Sequence, residues 1–263
     1  MSNKCLDVSV WQGSIDFKKV KADGYDYIII KCGGSDVGYY VDTKFHYNYQ
    51  NAKKQGFKIG AYYFAGTDFS SKTKGIEAGE HCLKIIGEYK FDLPIYIDVE
   101  YPTNGGYDGT TKAILGFCDT IEKKGFKTGV YSYKAGFNSL FSYDDVRNKS
   151  IWVAEWTDKR SNFPNKCDIW QYTSTGKTNG ITGYVDLDKC YIKTNNTDVT
   201  KKKNKTLVSN VHNTYQTRYK NIAEDVVKGK YGNGETRKKK ILSKGYDYNY
   251  VQALVNAMLT EKQ

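Results

Sequence analysis

The segment Pro94-Ile95-Tyr96-Ile97-Asp98-Val99-Glu100 reads as a short, largely apolar strand that closes on two acids. Side chains alternate along a strand, so Asp98 and Glu100 share one face, with backbone positions ~7 Å apart. Two readings of the pair stand at this point. One is a strand that simply ends in solvated acids or ion pairs. The other is a pocket at a barrel strand's C-terminal end, where catalytic groups gather and like charges raise each other's proton affinity.

Around this strand the chain alternates. Strand-like runs fall at 5–10, 25–32, 58–65, 94–100, 127–133, 151–156, 167–172 and 185–191. Helical patterning is clearest at 41–56, through Val41, Phe45, Tyr49 and Ala52, and at 110–124, through Ile114, Phe117, Cys118 and Ile121. Both stretches stop at a glycine, Gly56 and Gly125. Eight strands, the early ones separated by helices, predict an α/β fold, an irregular (β/α)8-type barrel. Short connections around 156–167 and 173–184 predict that some late helices are missing.

The 263 residues carry a net charge of +11, unevenly placed. Residues 194–263 hold 14 Lys+Arg against 6 Asp+Glu, and Lys193–Leu207 is polar and basic with almost nothing to bury. That composition predicts an exposed linker at 193–207, between a barrel at 1–192 and a second domain at 208–263. The second domain reads as a small three-helix module. One stripe runs Val208, Val211, Tyr215, Tyr219, Ile222 and Val226 to a stop at Gly229. A segment at 235–244 follows, then Val251, Leu254, Val255 and Met258, with Asp247 or Asn249 available as cap.

Several function classes are excluded by pattern. No apolar run approaches the ~20 residues of a membrane span, so no membrane insertion is expected. The first residues, Met-Ser-Asn-Lys-Cys-Leu-Asp, show no apolar leader. The six cysteines (5, 32, 82, 118, 167 and 190) lack CxxC spacing and are expected as reduced core thiols. The three histidines (46, 81 and 212) stand apart, so neither a metal site nor a Ser-His-Asp triad is expected, and no cofactor.

Further acids occupy comparable places. Asp7 lies in the first strand and Asp186 in Tyr184-Val-Asp-Leu-Asp188 of the last; in a closed barrel these strands are neighbours. Glu155 is a further candidate, with its facing left open. A carboxylate set without histidine or metal pattern points to glycoside hydrolysis rather than acyl or phosphoryl transfer. Tyrosine outnumbers phenylalanine 24 to 11, and aromatics crowd the strand ends at Tyr62–Phe64, Tyr131–Tyr133, Trp152, Trp156 and Trp170–Tyr172. Most of these serve packing; those at the rim suit the faces of sugar rings.

The opening Asp7-Val-Ser-Val-Trp-Gln-Gly13-Ser-Ile-Asp-Phe17 resembles that of glycoside hydrolase family 25, the Chalaropsis-type lysozymes. Ile29-Ile-Lys31, Gly60-Ala-Tyr-Tyr-Phe64, Pro94–Glu100, Gly129-Val-Tyr131, Ile151-Trp-Val-Ala154, Ile169-Trp-Gln-Tyr172 and Gly183-Tyr-Val-Asp186-Leu-Asp188 follow in the family's order. The chain departs from the family at Tyr63, where His is common, and at Asp188, where Asn is more frequent. The resemblance spans roughly 5–192. It implies an irregular barrel that cleaves the β-1,4 bond between N-acetylmuramic acid and N-acetylglucosamine. By motif, Glu100 would be the general acid, Asp98 would orient or polarise the substrate's N-acetyl group, and Asp7 and Asp186 would shape the field. Substrate contacts are expected from Lys31, Tyr62, Phe64, Tyr131, Trp152 and Gln171.

The segment 222–237, with Leu242, Gly245–Tyr248, Val251-Gln252 and Val255-Asn256, resembles the CW-seven cell-wall-binding repeat, present in one copy. Tyr231, Asn233, Arg237 and Gln252 are the expected wall contacts, each also readable as a helix-capping or solvating residue. The expected partner is therefore bacterial peptidoglycan. Nucleic acid, suggested by Lys201–Lys203 and Lys238–Lys240, is disfavoured because no recognition motif accompanies those runs. A binding-only barrel is disfavoured because both paired acids are present. Together these features imply a phage endolysin, kept in the host cytoplasm until holin-mediated release; a bacterial autolysin would share the chemistry.

Overall fold

The computed structural model describes residues 2–194 and 221–243, together with Tyr248, Val251, Gln252, Val255, Met258 and Leu259. The expected linker from 195 onward, the first part of the 208–226 stripe and Leu254 lie outside the described residues. Contacts divide the chain into two units, Met1–Asn195 and Asn196–Gln263.

The first unit runs β1 (Asn3–Val8), α1 (Phe17–Ala22), β2 (Tyr27–Gly34), β3 (Tyr40–Val41), α2 (Phe45–Lys54), β4 (Lys58–Phe64), α3 (Lys72–Ile86), β5 (Ile95–Asp98), α4 (Gly106–Glu122), β6 (Thr128–Tyr133), α5 (Gly136–Ser139), α6 (Tyr143–Val146), β7 (Ser150–Ala154), β8 (Ile169–Gly176) and β9 (Val185–Cys190). The strand order is β1-β9-β8-β7-β6-β5-β4-β2, closed by pairing of β1 with β2. The two-residue β3 hangs on the edge of β2. This is an irregular (β/α)8-type barrel, as the alternation predicts. All eight expected strands are present.

One strand breaks the pattern. β9 is antiparallel to both β1 and β8, whereas the other barrel pairings are parallel. The physical reason is the connection: residues 177–184 are too few to carry the chain back across the sheet, and only a hairpin fits. Four helices, α1, α3, α5 and α6, carry no marked periodicity, and of these α3 is the long one. The buried face of α3 consists of Gly75, Ala78, Gly79, Cys82, Ile85 and Ile86, so its first half lacks large apolar residues. Those small residues serve close approach. A Cβ on Gly75 would overlap the Ala113 carbonyl of α4, and one on Gly116 of α4 would meet Lys72 of α3.

Two apolar layers result. Outward-facing strand residues such as Leu6, Ile28, Ile30, Ile59 and Ile97 pack against the helices. Inward-facing Cys5, Ile29, Tyr62, Tyr96, Tyr131, Trp152 and Ile169 fill the lumen. Trp152 is its centre, with ring centroids of Tyr131, Tyr96 and Tyr62 at 4.4, 5.3 and 5.9 Å. Gly129 leaves the room that the Tyr96 ring occupies. The lumen is therefore a packed floor, and only its C-terminal mouth is open to chemistry. All six cysteines carry free thiols.

In the second unit, residues 221–227 (α7), Gly234–Ser243 (α8) and the described positions from Tyr248 to Leu259 are helical. Ile222, Ala223, Val226, Tyr231, Ile241, Val251 and Val255 form its core. No helix among the described residues is long and apolar enough to cross a membrane.

Candidate active site

Asp98 is the last residue of β5, in register with Phe64 on β4 and Tyr131 on β6, and only 3% exposed. Its Oδ1 has no hydrogen-bond partner among the described residues. Two residues further on, beyond the strand end, Glu100 is partly exposed and its charge reaches Asp98. Burial, reinforced by the Glu100 charge, pushes the Asp98 carboxyl well above the ordinary range, while Lys31 opposes the shift. Burial also raises Glu100, again against Lys31. Both members of the pair are therefore held towards the protonated form.

The other acids enter from the seam. β9, by running antiparallel, brings Asp186 to the same level as Asp7, its direct partner in register. Asp7 is buried, and burial together with Asp186 and Asp188 raises its carboxyl. Burial and Glu100 push Asp186 up to about 6. Gln171 of β8 ties the ring together. Its Nε2 donates to Asp7 Oδ2 at 2.9 Å, and its Oε1 accepts from Tyr131 Oη at 3.1 Å and from the Trp156 indole at 3.0 Å.

Lys31 stands over the aromatic side of the mouth, with Nζ 4.5 Å from the Phe64 ring centroid and 5.8 Å from that of Tyr62. Asp42, missed by sequence reasoning, accepts the Val10 and Lys44 backbone N–H groups, each at 2.9 Å. It thereby fixes the Val10–Gln12 turn that follows β1. An open groove of ≈ 820 Å³ leads from Glu100 and Tyr131 past Tyr133 and Asn138 to Trp156 and Phe163. Asn138, in the single-turn helix α5, and Phe163, in the loop after β7, carried no sequence signal.

The expected site residues thus separate by depth. Asp7, Asp98, Glu100, Asp186, Lys31, Phe64 and Gln171 meet at the mouth, whereas Tyr62, Tyr131 and Trp152 form the floor beneath. Glu155 does not join them. It bonds Lys134 Nζ at 2.9 Å and both the backbone N–H and hydroxyl of Ser161, bracing the loop after β7. Tyr63 faces outward, donating to the Gly34 carbonyl and meeting His81 Nδ1 at 2.8 Å.

In the second unit, Arg237 gathers the expected contacts. Its guanidinium donates to the Gly232 carbonyl, to Gln252 Oε1 and to Asn233 Oδ1 at 3.0–3.2 Å. Tyr231 is only 5% exposed and belongs to the core of this unit.

Fold and site define an α/β barrel enzyme with paired acids at the mouth and a groove leading from one of them. The chain belongs to the glycosyl hydrolases family 25, whose family model matches residues 6–181; a second model, the CW_7 repeat, matches 220–259. The first match stops short of β9 and so of Asp186. The chain is 30% identical over 187 residues to the autolytic lysozyme of Clostridium acetobutylicum, covering 71% of this chain and 55% of that protein. It is 26% identical over 212 residues to the lysozyme of Streptococcus phage Cp-7, covering 77% and 56%. The modular autolysin LytC of Streptococcus pneumoniae superposes with a TM-score of 0.65 at 26% identity, covering 72% and 47%. The chain spans about half the length of each of these relatives.

Proposed function

We propose that the barrel, residues 1–192, is an N-acetylmuramidase that hydrolyses the β-1,4 bond between N-acetylmuramic acid and N-acetylglucosamine in bacterial peptidoglycan. The observation that carries the reading is the division of the paired acids: Glu100 lines the open groove while Asp98 is buried behind it. Glycoside cleavage needs a proton donor beside the leaving oxygen, kept protonated near neutral pH by its surroundings. Glu100 fills that role. Asp98, buried beside it, orients the substrate's N-acetyl group.

Asp186 supplies negative charge where the sugar becomes oxocarbenium-like, with Asp7 beside it, and Gln171 fixes the orientation of Asp7. Lys31 and Phe64 bound one side of the substrate. Tyr62, Tyr131 and Trp152 hold the floor rigid, and Tyr133 and Trp156 offer exposed faces to further sugars. Residues 193–207 act as the linker. The segment 208–263 retains the enzyme on the wall through Asn233, Arg237 and Gln252, with Tyr231 supporting them from the core. Basic charge in that segment favours a polyanionic wall.

The biological setting that fits is a phage endolysin held in the host cytoplasm until holin-mediated release. The match to the phage lysozyme covers 77% of this chain, more than the 71% matched by the clostridial enzyme. An autolysin is the second reading, favoured by the 30% identity to that enzyme. Expression inside a susceptible cell separates them: an endolysin accumulates harmlessly until the membrane is permeabilised.

The chemistry is tested by digesting purified walls and reducing the products with borohydride. Labelled muramic acid is the expected result. Labelled glucosamine would reassign the enzyme as a glucosaminidase, and freed amino termini without new reducing ends would overturn the glycosidase reading.

A further inference from the structure

Two residues beyond Asp186 on β9, Asp188 lies deeper in the lumen, 2% exposed, in surroundings that do not suit a charge. Its Oδ1 accepts the Trp152 indole N–H at 2.8 Å, but Oδ2 is buried without a hydrogen-bond partner. The groups that face it come from four strands: Cys5 and Asp7 on β1, Asp186 and Cys190 on β9, Trp152 on β7 and Gln171 on β8. The titratable ones among them are acids and thiols. Tyr25, Cys167 and Tyr172 sense its charge from farther out. The adjacent Lys189 projects to the opposite face of β9, with Nζ 4.6 Å from the Trp170 ring centroid. A bare carboxylate here would place a further like charge under Asp7 and Asp186 with a single hydrogen bond to hold it.

We propose that Asp188 is a positioning residue that works as a neutral carboxylic acid: Oδ1 anchors Trp152, Oδ2 keeps its proton where no partner could stabilise a charge, and Asp186 is left to carry the charge at the mouth. Ionisation of Asp188 puts a negative charge under the site. Burial and Asp186, opposed by the Trp152 hydrogen bond, push its carboxyl to about 8. The change therefore falls on the alkaline side of neutrality. Its kinetic consequence rests on the muramidase reading; its consequence for stability does not.

Asp188→Asn tests the idea, because asparagine keeps an acceptor for Trp152 and supplies an N–H donor but cannot ionise. The first readout is thermal unfolding of parent and variant from about pH 4 to about pH 9. Between the ordinary carboxylate value and about 8, Asp188 is protonated when folded and ionised when unfolded, so the parent loses stability as pH rises through that window. The variant's Tm advantage over the parent should grow by several degrees across the window and level off above it. A difference that stays flat with pH, or a variant that fails to fold, would overturn the proposal.

The second readout is kcat/KM against pH on soluble glycan. Asp188→Asn should keep activity near pH 6 within about threefold of the parent and move the alkaline limb up by about one pH unit or more. Asp188→Leu, which offers neither acceptor nor donor, should lose about tenfold or more at every pH. An alkaline limb unmoved by Asp188→Asn would assign it to another group and overturn the kinetic half. If the parent itself released no reducing ends, the muramidase reading would fail while the unfolding comparison still decided the protonation of Asp188.

Discussion

Asp7 and Asp186 lie directly opposite one another across the β1–β9 seam, in strands that run in opposite directions. The reversal decides which acids reach the mouth. In a parallel last strand, Asp186 would lie near the strand's beginning and hence at the barrel floor. Run antiparallel, the same strand presents Asp186 beside Asp7 at the mouth and sends Asp188 down towards Trp152. A hairpin of eight residues at 177–184 thus sets the electrostatics of the groove.

Replacing Glu100 by Gln should reduce wall lysis by about 10²–10⁴, the usual loss when a general acid is removed. The fold should be undisturbed, because Glu100 is partly exposed and its charge is unwelcome where it sits. Turbidity clearing beside an unfolding curve measures both. Parent-like lysis by the folded variant would remove Glu100 from the role.

The acid limb of the pH profile should belong to the cluster around Asp186. Burial and Glu100 raise that carboxyl to about 6, so below that value it is protonated and its field is lost. Activity should rise as pH increases through about 6, as a macroscopic step shared with Asp7. Asp186→Asn should lower kcat and flatten this limb. The stability sign is the reverse: a raised folded value contributes fully below the ordinary carboxylate range and is lost as pH climbs through about 6.

Gln171→Leu should cost about 1–3 kcal/mol in denaturant unfolding, because the Tyr131 hydroxyl and the Trp156 indole lose their acceptor. Asp7 would lose its donor as well and hold its proton more tightly. Catalysis should therefore fall more steeply at the acid end than near neutrality. A uniform loss at all pH values would restrict Gln171 to packing.

The barrel was legible because its strands are short apolar runs with clear punctuation, and because Asp98 and Glu100 share parity on one of them. Asp7 and Asp186 followed from closure alone. Facing was harder to read. Glu155 sits in an equally promising run, yet its alternation sends it to Lys134 and Ser161. Asp42 acts from a loop and Asn138 from the four-residue α5, both too short of context for a period to mark them. α3 escaped because close packing against α4 selects glycine where periodicity looks for bulk. The depth of Trp152 was hidden too, since a strand pattern shows which face a residue takes but not how far it lies from the mouth.

That α3–α4 contact gives a test independent of catalysis. Gly75→Ala places a methyl group on the Ala113 carbonyl, where only backbone movement makes room. The expected loss is about 1–3 kcal/mol or more, typical of overpacking. Gly87→Ala at the end of α3 serves as a contrast, because a Cβ there meets nothing within 4 Å and the cost comes from its positive φ alone. Comparable losses at the two sites would mean that the helices are not as closely packed as their glycines imply.

The last prediction concerns where the chain can be cut. The barrel's own structure continues past β9: Tyr191 donates its N–H to the Asp168 carbonyl, Ile192 packs on the lumen cluster, and the Thr194 hydroxyl meets Tyr27 Oη at 3.0 Å. Contacts then divide the chain at Asn195 and Asn196. A protein ending at Thr194 should fold with a Tm within about 3 °C of the full chain, since little of its core is touched. It should cleave soluble muropeptides at the parent rate and bind intact walls less well. Ending the chain at Gly183 instead removes β9, leaves the edges of β1 and β8 unpaired and takes away Asp186. Open strand edges invite aggregation, so that shorter protein should be insoluble or inactive. If the protein ending at Thr194 also aggregates, the barrel needs the segment beyond it. If it binds walls as tightly as the full chain, Asn233, Arg237 and Gln252 have no role in retention.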